Sequence, residues 1–157
     1  MSFMPADHFG FLLVGAWGTV QLSALAFVGG GLIGLAVALA RVSPVKAVRV
    51  AAAGYIQAIQ GTPLLVLMGV CFFGPNIVGI GSVPALAAAA LAITVYASAF
   101  LGEIWRGCIQ AIPRGQWEAA EALSLKYGAR MRDVVLPQAF KIALAPTVGY
   151  VVQIIKG

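Results

Sequence analysis

PRGQWEAAEALSLKYGARMRDVVLP, residues 113–137, is the one long polar interval in a chain that is otherwise almost wholly apolar. It holds Glu118, Glu121 and Asp133, three of the five acidic residues, and Arg114, Lys126, Arg130 and Arg132, four of the ten basic ones. Pro113 and Pro137 bracket it. Trp117 to Leu123 is a good short helix former, with acids near its positive N-terminal end. Ala119, Ala120 and Ala122 keep this helix slim, and Trp117 and Leu123 offer apolar contacts. Tyr127-Gly128 turns the chain, and a second short helix is expected over Ala129–Val135, stopping before Pro137. On its residues alone the interval is an amphipathic helical turn. It can lie in a groove of another protein or form an ordinary solvated loop.

Outward from this turn, composition fixes the class. Hydrophobic residues make up 61% and charged residues 10% of 157 residues, with a mean hydropathy of +0.97. Soluble domains carry about 25% charged residues, so this chain has too few to cover a water-facing surface. Only helices and closed barrels satisfy the backbone inside a bilayer. The apolar runs are long and lack strand-like alternation, which selects helices. The net charge of +5 sits in loops beside apolar runs, a pattern of membrane topology rather than of nucleic-acid binding. The expected fold is therefore an all-α integral membrane protein of about four spans.

Residues 9–40 are apolar, about 48 Å of helix against the roughly 30 Å of a bilayer core. Phe9–Gly18 is assigned to the interface or beyond, and Thr19–Ala40 to the first span. Gly30 and Gly34 have the small-xxx-small spacing of close helix pairs, a spacing that a glycine-rich segment also produces by chance. Arg41, Lys46 and Arg49 flank the Ser43-Pro44 turn without an acid, which places this loop in the cytoplasm and the N-terminus outside.

Ala51–Gly74 returns, with Gly61-Thr62-Pro63 inside it. Pro63 predicts a kink or break, with the freed backbone groups needing a partner such as Thr62 or water. A broken helix can line a passage, and a kink can equally serve packing alone. The uncharged loop at residues 75–83 belongs outside. Pro84 starts the third span at a favourable position. Glu103, deep in that span, either pairs with Arg106 at i+3 or lines a polar path. Gln138–Gly157 forms the fourth span, kinked at Pro146.

Chemistry-bearing residues are sparse. His8 stands alone and reads as an interfacial residue. Cys71 and Cys108 have no metal-type spacing and read as buried apolar residues. One histidine, two separated cysteines and one acid at membrane depth make no catalytic set and no metal site. No basic segment precedes the first apolar run, so no cleaved signal peptide is expected.

The turn resembles the EAA loop of ABC importer permeases. That pattern runs Glu-Ala-Ala, three residues, Gly, nine residues, Ile, one residue, Leu-Pro. Here it reads Glu118-Ala119-Ala120, Ser124 in the Gly position, Val134 in the Ile position, then Leu136-Pro137. Gln60-Gly61-Thr62-Pro63-Leu64-Leu65-Val66, Gly102-Glu103-Ile104-Trp105-Arg106-Gly107 and Val135-Leu136-Pro137-Gln138-Ala139 are similar to segments of the polar amino acid, histidine/glutamine-type subgroup. The resemblance covers the chain from Thr19 onward. It implies a single permease transmembrane domain over residues 1–157 with a cytoplasmic EAA coupling loop over 113–137.

The resemblance further implies a mechanism. The loop docks on a cytoplasmic ABC ATPase dimer, with Glu118, Ala119, Ala120, Ser124, Leu136 and Pro137 as the docking set. ATP and Mg belong to that ATPase, and this chain carries no cofactor and no catalytic residue. A periplasmic or lipoprotein amino acid-binding protein delivers substrate, and a second permease subunit completes a homo- or heterodimer in the bacterial inner membrane among its lipids. Thr62, Glu103 and Lys156 are the candidate path or substrate residues, Lys156 alternatively snorkelling to the interface. Permeases of this subgroup usually have five spans, so a chain ending at Gly157 is expected to lack the last. A membrane scaffold using the turn for docking is the competing expectation.

Overall fold

The computed structural model describes residues 5–156, with side chains from residue 10 onward. Residues 1–4, Gly157 and the side chain of His8, expected at an interface, lie outside the described residues. The described chain is helical throughout, in the order α1 (Pro5–Arg41), α2 (Lys46–Gln60), α3 (Leu64–Ile77), α4 (Ala85–Gln110), α5 (Arg114–Ala122), α6 (Tyr127–Ala129), a π-helical turn (Arg130–Val135) and α7 (Leu136–Lys156). Three helices are long and apolar enough to cross a membrane, or four when α2 and α3 count as one broken span. α1 runs continuously through Gly18, so no break marks the division expected there.

α1 and α4 form the most extensive helix pair. Ala26, Gly30, Gly34 and Ala38 recur at i+4 and are all buried on α1, a single small-residue ridge. A Cβ on Gly30 would stand 2.7 Å from the Ala97 Cβ and 3.0 Å from the Thr94 carbonyl oxygen. On Gly34 it would stand 3.0 Å from the Ser98 carbonyl oxygen. Gly102 of α4 returns the contact, its Cβ position lying 3.2 Å from the Gly34 carbonyl oxygen. The glycine spacing is thus used for backbone approach and is not incidental.

Polar groups join the other helices to α4. The Tyr55 hydroxyl of α2 lies 2.6 Å from Oγ of Ser98, whose own hydroxyl donates to the Val95 carbonyl at 2.7 Å. Ser98 is fully buried, and these two bonds satisfy it. Trp105 Nε1 donates to Thr147 Oγ1 of α7 at 2.8 Å, and the Phe100 and Tyr150 rings stack at 5.7 Å. Between α1, α4 and α7 runs an apolar groove of about 560 Å³, lined in part by Phe27, Trp105, Cys108 and Phe140. Cys108 is buried as expected, whereas Cys71 is only half-buried.

The break at Pro63 is a bend of 98° between α2 and α3. The Thr62 hydroxyl donates to the Ala58 carbonyl at 2.8 Å, and the Thr62 N–H bonds the Ile59 carbonyl at 3.2 Å. Thr62 therefore supplies the partner that Pro63 denies to the end of α2.

The expectation that a short helix stops before Pro137 is corrected. Residues Tyr127–Lys156 form one continuous helix. In a regular α-helix the Pro137 ring would press on the carbonyl of residue 133 and leave it without a donor. The π-helical turn over Arg130–Val135 directly precedes the ring, and its wider i→i+5 bonding relieves that clash. Gln138 Nε2 adds a bond to the Val134 carbonyl at 2.9 Å. α7 also runs on through Pro146.

Candidate docking surface and polar path residues

α5 starts directly after Pro113, whose fixed φ suits a helix start. This is three residues earlier than the expected start at Trp117. Beneath it lies an apolar cluster of Ile109, Ile112, Met131, Val135 and Ala139, against which Trp117, Val42 and Leu136 pack. Trp117 and Ala120, at i and i+3, face this cluster's side of the helix. Glu118, Ala119 and Ala122 are exposed, and Leu123 is 74% exposed.

Ala120 is only 2% exposed. Ala120 is thus packed into this chain's own core, while Ala119 is the exposed alanine of Glu118-Ala119-Ala120. Leu136 is half-buried in the same cluster, and Pro137 is exposed.

Ser124 terminates α5 with φ 56°. Its N–H bonds the Glu121 carbonyl at 2.8 Å, and the Leu125 N–H bonds the Ala120 carbonyl at 3.1 Å. This pair of bonds is a Schellman cap, whose left-handed position favours glycine. The same cap ends α3 with a glycine: Gly79, at φ 78°, bonds the Asn76 carbonyl, and Ile80 bonds that of Pro75.

Two side chains fix α5 in place, and a third, Tyr127, ties the loop to the end of α1. Arg130 donates to Glu121 Oε2 and to the Leu125 carbonyl, both at 3.3 Å. Gln138 Nε2 donates to Gln116 Oε1 at 3.1 Å. The Tyr127 hydroxyl donates to the Val42 carbonyl, at the end of α1, at 2.7 Å. In sequence Tyr127 reads only as part of a turn, which the structure places at residues 123–126. The contacts of Tyr127 and Gln138 are not legible there, because neither is charged and their partners lie 85 and 22 positions away.

The three path candidates stand apart. Thr62 is committed to the broken end of α2, as described. Glu103 accepts from Arg106 Nε at 2.9 Å, and Arg41 Nε approaches it at 3.9 Å. Arg106 also bonds Gln110. Glu103 is partly exposed between its two arginines. Lys156 is exposed at the last turn of α7. Among the described residues no hydrogen bond or ion pair joins these three.

Comparison with known proteins bears on the whole arrangement. The pattern of the family described as "Binding-protein-dependent transport system inner membrane component" matches residues 30–157. The probable amino-acid ABC transporter permease protein YckA of Bacillus subtilis (strain 168) is 35% identical over 153 residues, 98% of this chain and 67% of that protein. The probable glutamine ABC transporter permease protein GlnM of the same organism is 32% identical, over 96% of this chain and 69% of that protein. The chain thus spans about two thirds of the length of these relatives. A crystal structure of an amino acid ABC transporter with histidines superposes with a TM-score of 0.85 and 33% identity, covering 99% of this chain and 74% of that one.

Proposed function

This chain belongs to the family of binding-protein-dependent transport system inner membrane components, and from that premise we propose that it moves amino acids, polar ones in particular, through the bacterial inner membrane under the drive of a separate ATPase. It is a multi-pass, non-catalytic permease subunit. Its proposed partners are a cytoplasmic ABC ATPase dimer that holds the ATP and Mg, an amino acid-binding protein on the outer side, and a second permease subunit. In this reading the loop after Ile112 is cytoplasmic and the N-terminus outside, as the basic residues beside the spans support.

The observation that carries the proposal is the way α5 is presented. It sits at the bend between two membrane-crossing helices, backed by an apolar cluster, with Glu118, Ala119 and Leu123 turned out. A slim outward alanine admits close approach by a groove, and Glu118 and Leu123 flank it with one charge and one apolar anchor. Ser124 shapes the end of the docking helix, Leu136 packs on the cluster beneath it, and exposed Pro137 adds to the docking face. Ala119→Trp should abolish co-purification of the chain with its ATPase and stop ATP-driven uptake. If that variant keeps both, α5 is not the docking helix.

Along the spans, Glu103 and Lys156 are the charged groups we assign to a zwitterionic amino acid, with Thr62 shaping the path at the break. Removing one charge-assisted contact is worth about 1.5–3 kcal/mol, so Glu103→Ala or Lys156→Ala in the assembled importer should raise the transport KM about tenfold or more. An unchanged KM removes that residue from the path.

A further inference from the structure

The carbonyl of Val42 is among the last of α1's helix-terminal carbonyls, its own N–H still bonded to Ala38 and Leu39 at 3.3 Å each. Such carbonyls lack a partner within the helix. Here the partner is the Tyr127 hydroxyl, at 2.7 Å. Tyr127 opens α6, just past the cap that ends α5. Val42 also packs on the apolar cluster beneath α5. Its neighbour Arg41 reaches toward Glu103 of α4, and α1 is locked to α4 through the glycine ridge. A contiguous set of contacts thus leads from the docking loop to the α1–α4 pair.

The other bonds of the loop stay within the loop and the start of α7. Arg130 holds Glu121 and Leu125, and Gln138 holds Gln116. Among the described residues, the bond from the Tyr127 hydroxyl to the Val42 carbonyl is the one hydrogen bond from residues 114–135 to the end of α1. Losing it leaves the loop's own fastening intact while cutting its polar link to α1.

We propose that Tyr127 is a positioning residue that ties the docking loop to the end of α1, so that movement of α5 is passed to the α1–α4 pair as well as to α7. The proposal rests on the reading of α5 as the ATPase-docking helix. A coupling route is established only by showing that both ends respond together, and the hydroxyl is a single group whose removal tests this.

The experiment is hydrogen exchange on the chain assembled with its ATPase in lipid nanodiscs, with and without ATP plus vanadate. In the wild type, trapping should change exchange at residues 114–123 and at residues 38–43. In Tyr127→Phe, which keeps the ring, the response at 114–123 should remain and the response at 38–43 should be lost. If Tyr127→Phe retains the wild-type response at 38–43, the hydroxyl does not transmit and the proposal is overturned. Loss of both responses with the ATPase still bound also overturns it, because Tyr127 would then hold the loop itself. If the ATPase leaves 114–123 of the wild type unchanged, the docking reading fails, and this proposal with it.

Discussion

Ser124 is one of the two residues, with Val134, at which this chain departs from the EAA pattern it resembles, and the structure gives that departure a physical meaning. The glycine of the pattern falls on the left-handed position of a Schellman cap, where Ser124 sits at φ 56°. A residue with a Cβ pays about 1–2 kcal/mol there, partly offset by the greater unfolded-state freedom of glycine. Ser124→Gly should therefore stabilise the chain by up to about 1 kcal/mol, read as a higher unfolding midpoint in detergent, and Ser124→Val should lower it. Ser124 stood out in sequence as a mismatch at the glycine position, and the cap at Gly79 shows what glycine does there. Glu103 was legible as paired with Arg106, because i,i+3 spacing is local. Its approach by Arg41 was not, since that contact crosses between helices. Ala120 shows the limit of a linear motif: a pattern records residue type, and the facing of a helix decides that Ala119 is outward and Ala120 inward.

At the level of elements, the glycine ridge of α1 is the firmest commitment of the fold. Gly30→Ala would place a methyl 2.7 Å from the Ala97 Cβ and 3.0 Å from the Thr94 carbonyl oxygen, and overpacking of this kind costs about 1–3 kcal/mol. Gly54→Ala on α2 meets nothing within 4 Å and gains helix propensity, so its unfolding midpoint should hold or rise. Thermal unfolding of the two variants in one detergent compares them directly. Only Gly30 and Gly34 stood out in the sequence, because alanine is common in any membrane helix. Ala26 and Ala38 extend the same ridge, and recurrence at i+4 was the signal that would have found them. Pro63 announced a break but not its 98° angle, which depends on α3 packing against α4. Pro137 misled because proline usually ends a helix. The π-helical turn that admits it carries no distinct sequence mark.

For the molecule as a whole, the class was legible from composition alone, because 10% charged residues cannot solvate a surface. The position of α5 was legible because it lies in the one long polar interval between apolar runs. The fastening of that interval was hidden, since Tyr127 to Val42 and Gln138 to Gln116 are contacts the fold creates. In the function proposed above, α5 presents its outward face to an ATPase. Site-specific photo-crosslinking from a benzoylphenylalanine at Leu123, 74% exposed, tests it in the assembled importer, with Ile80, 81% exposed in the loop after α3, as the reference at the opposite end of α4. A covalent adduct of this chain with the ATPase subunit is expected from position 123 and none from position 80. No adduct from position 123 while the ATPase remains bound, or an equal yield from both positions, would contradict it.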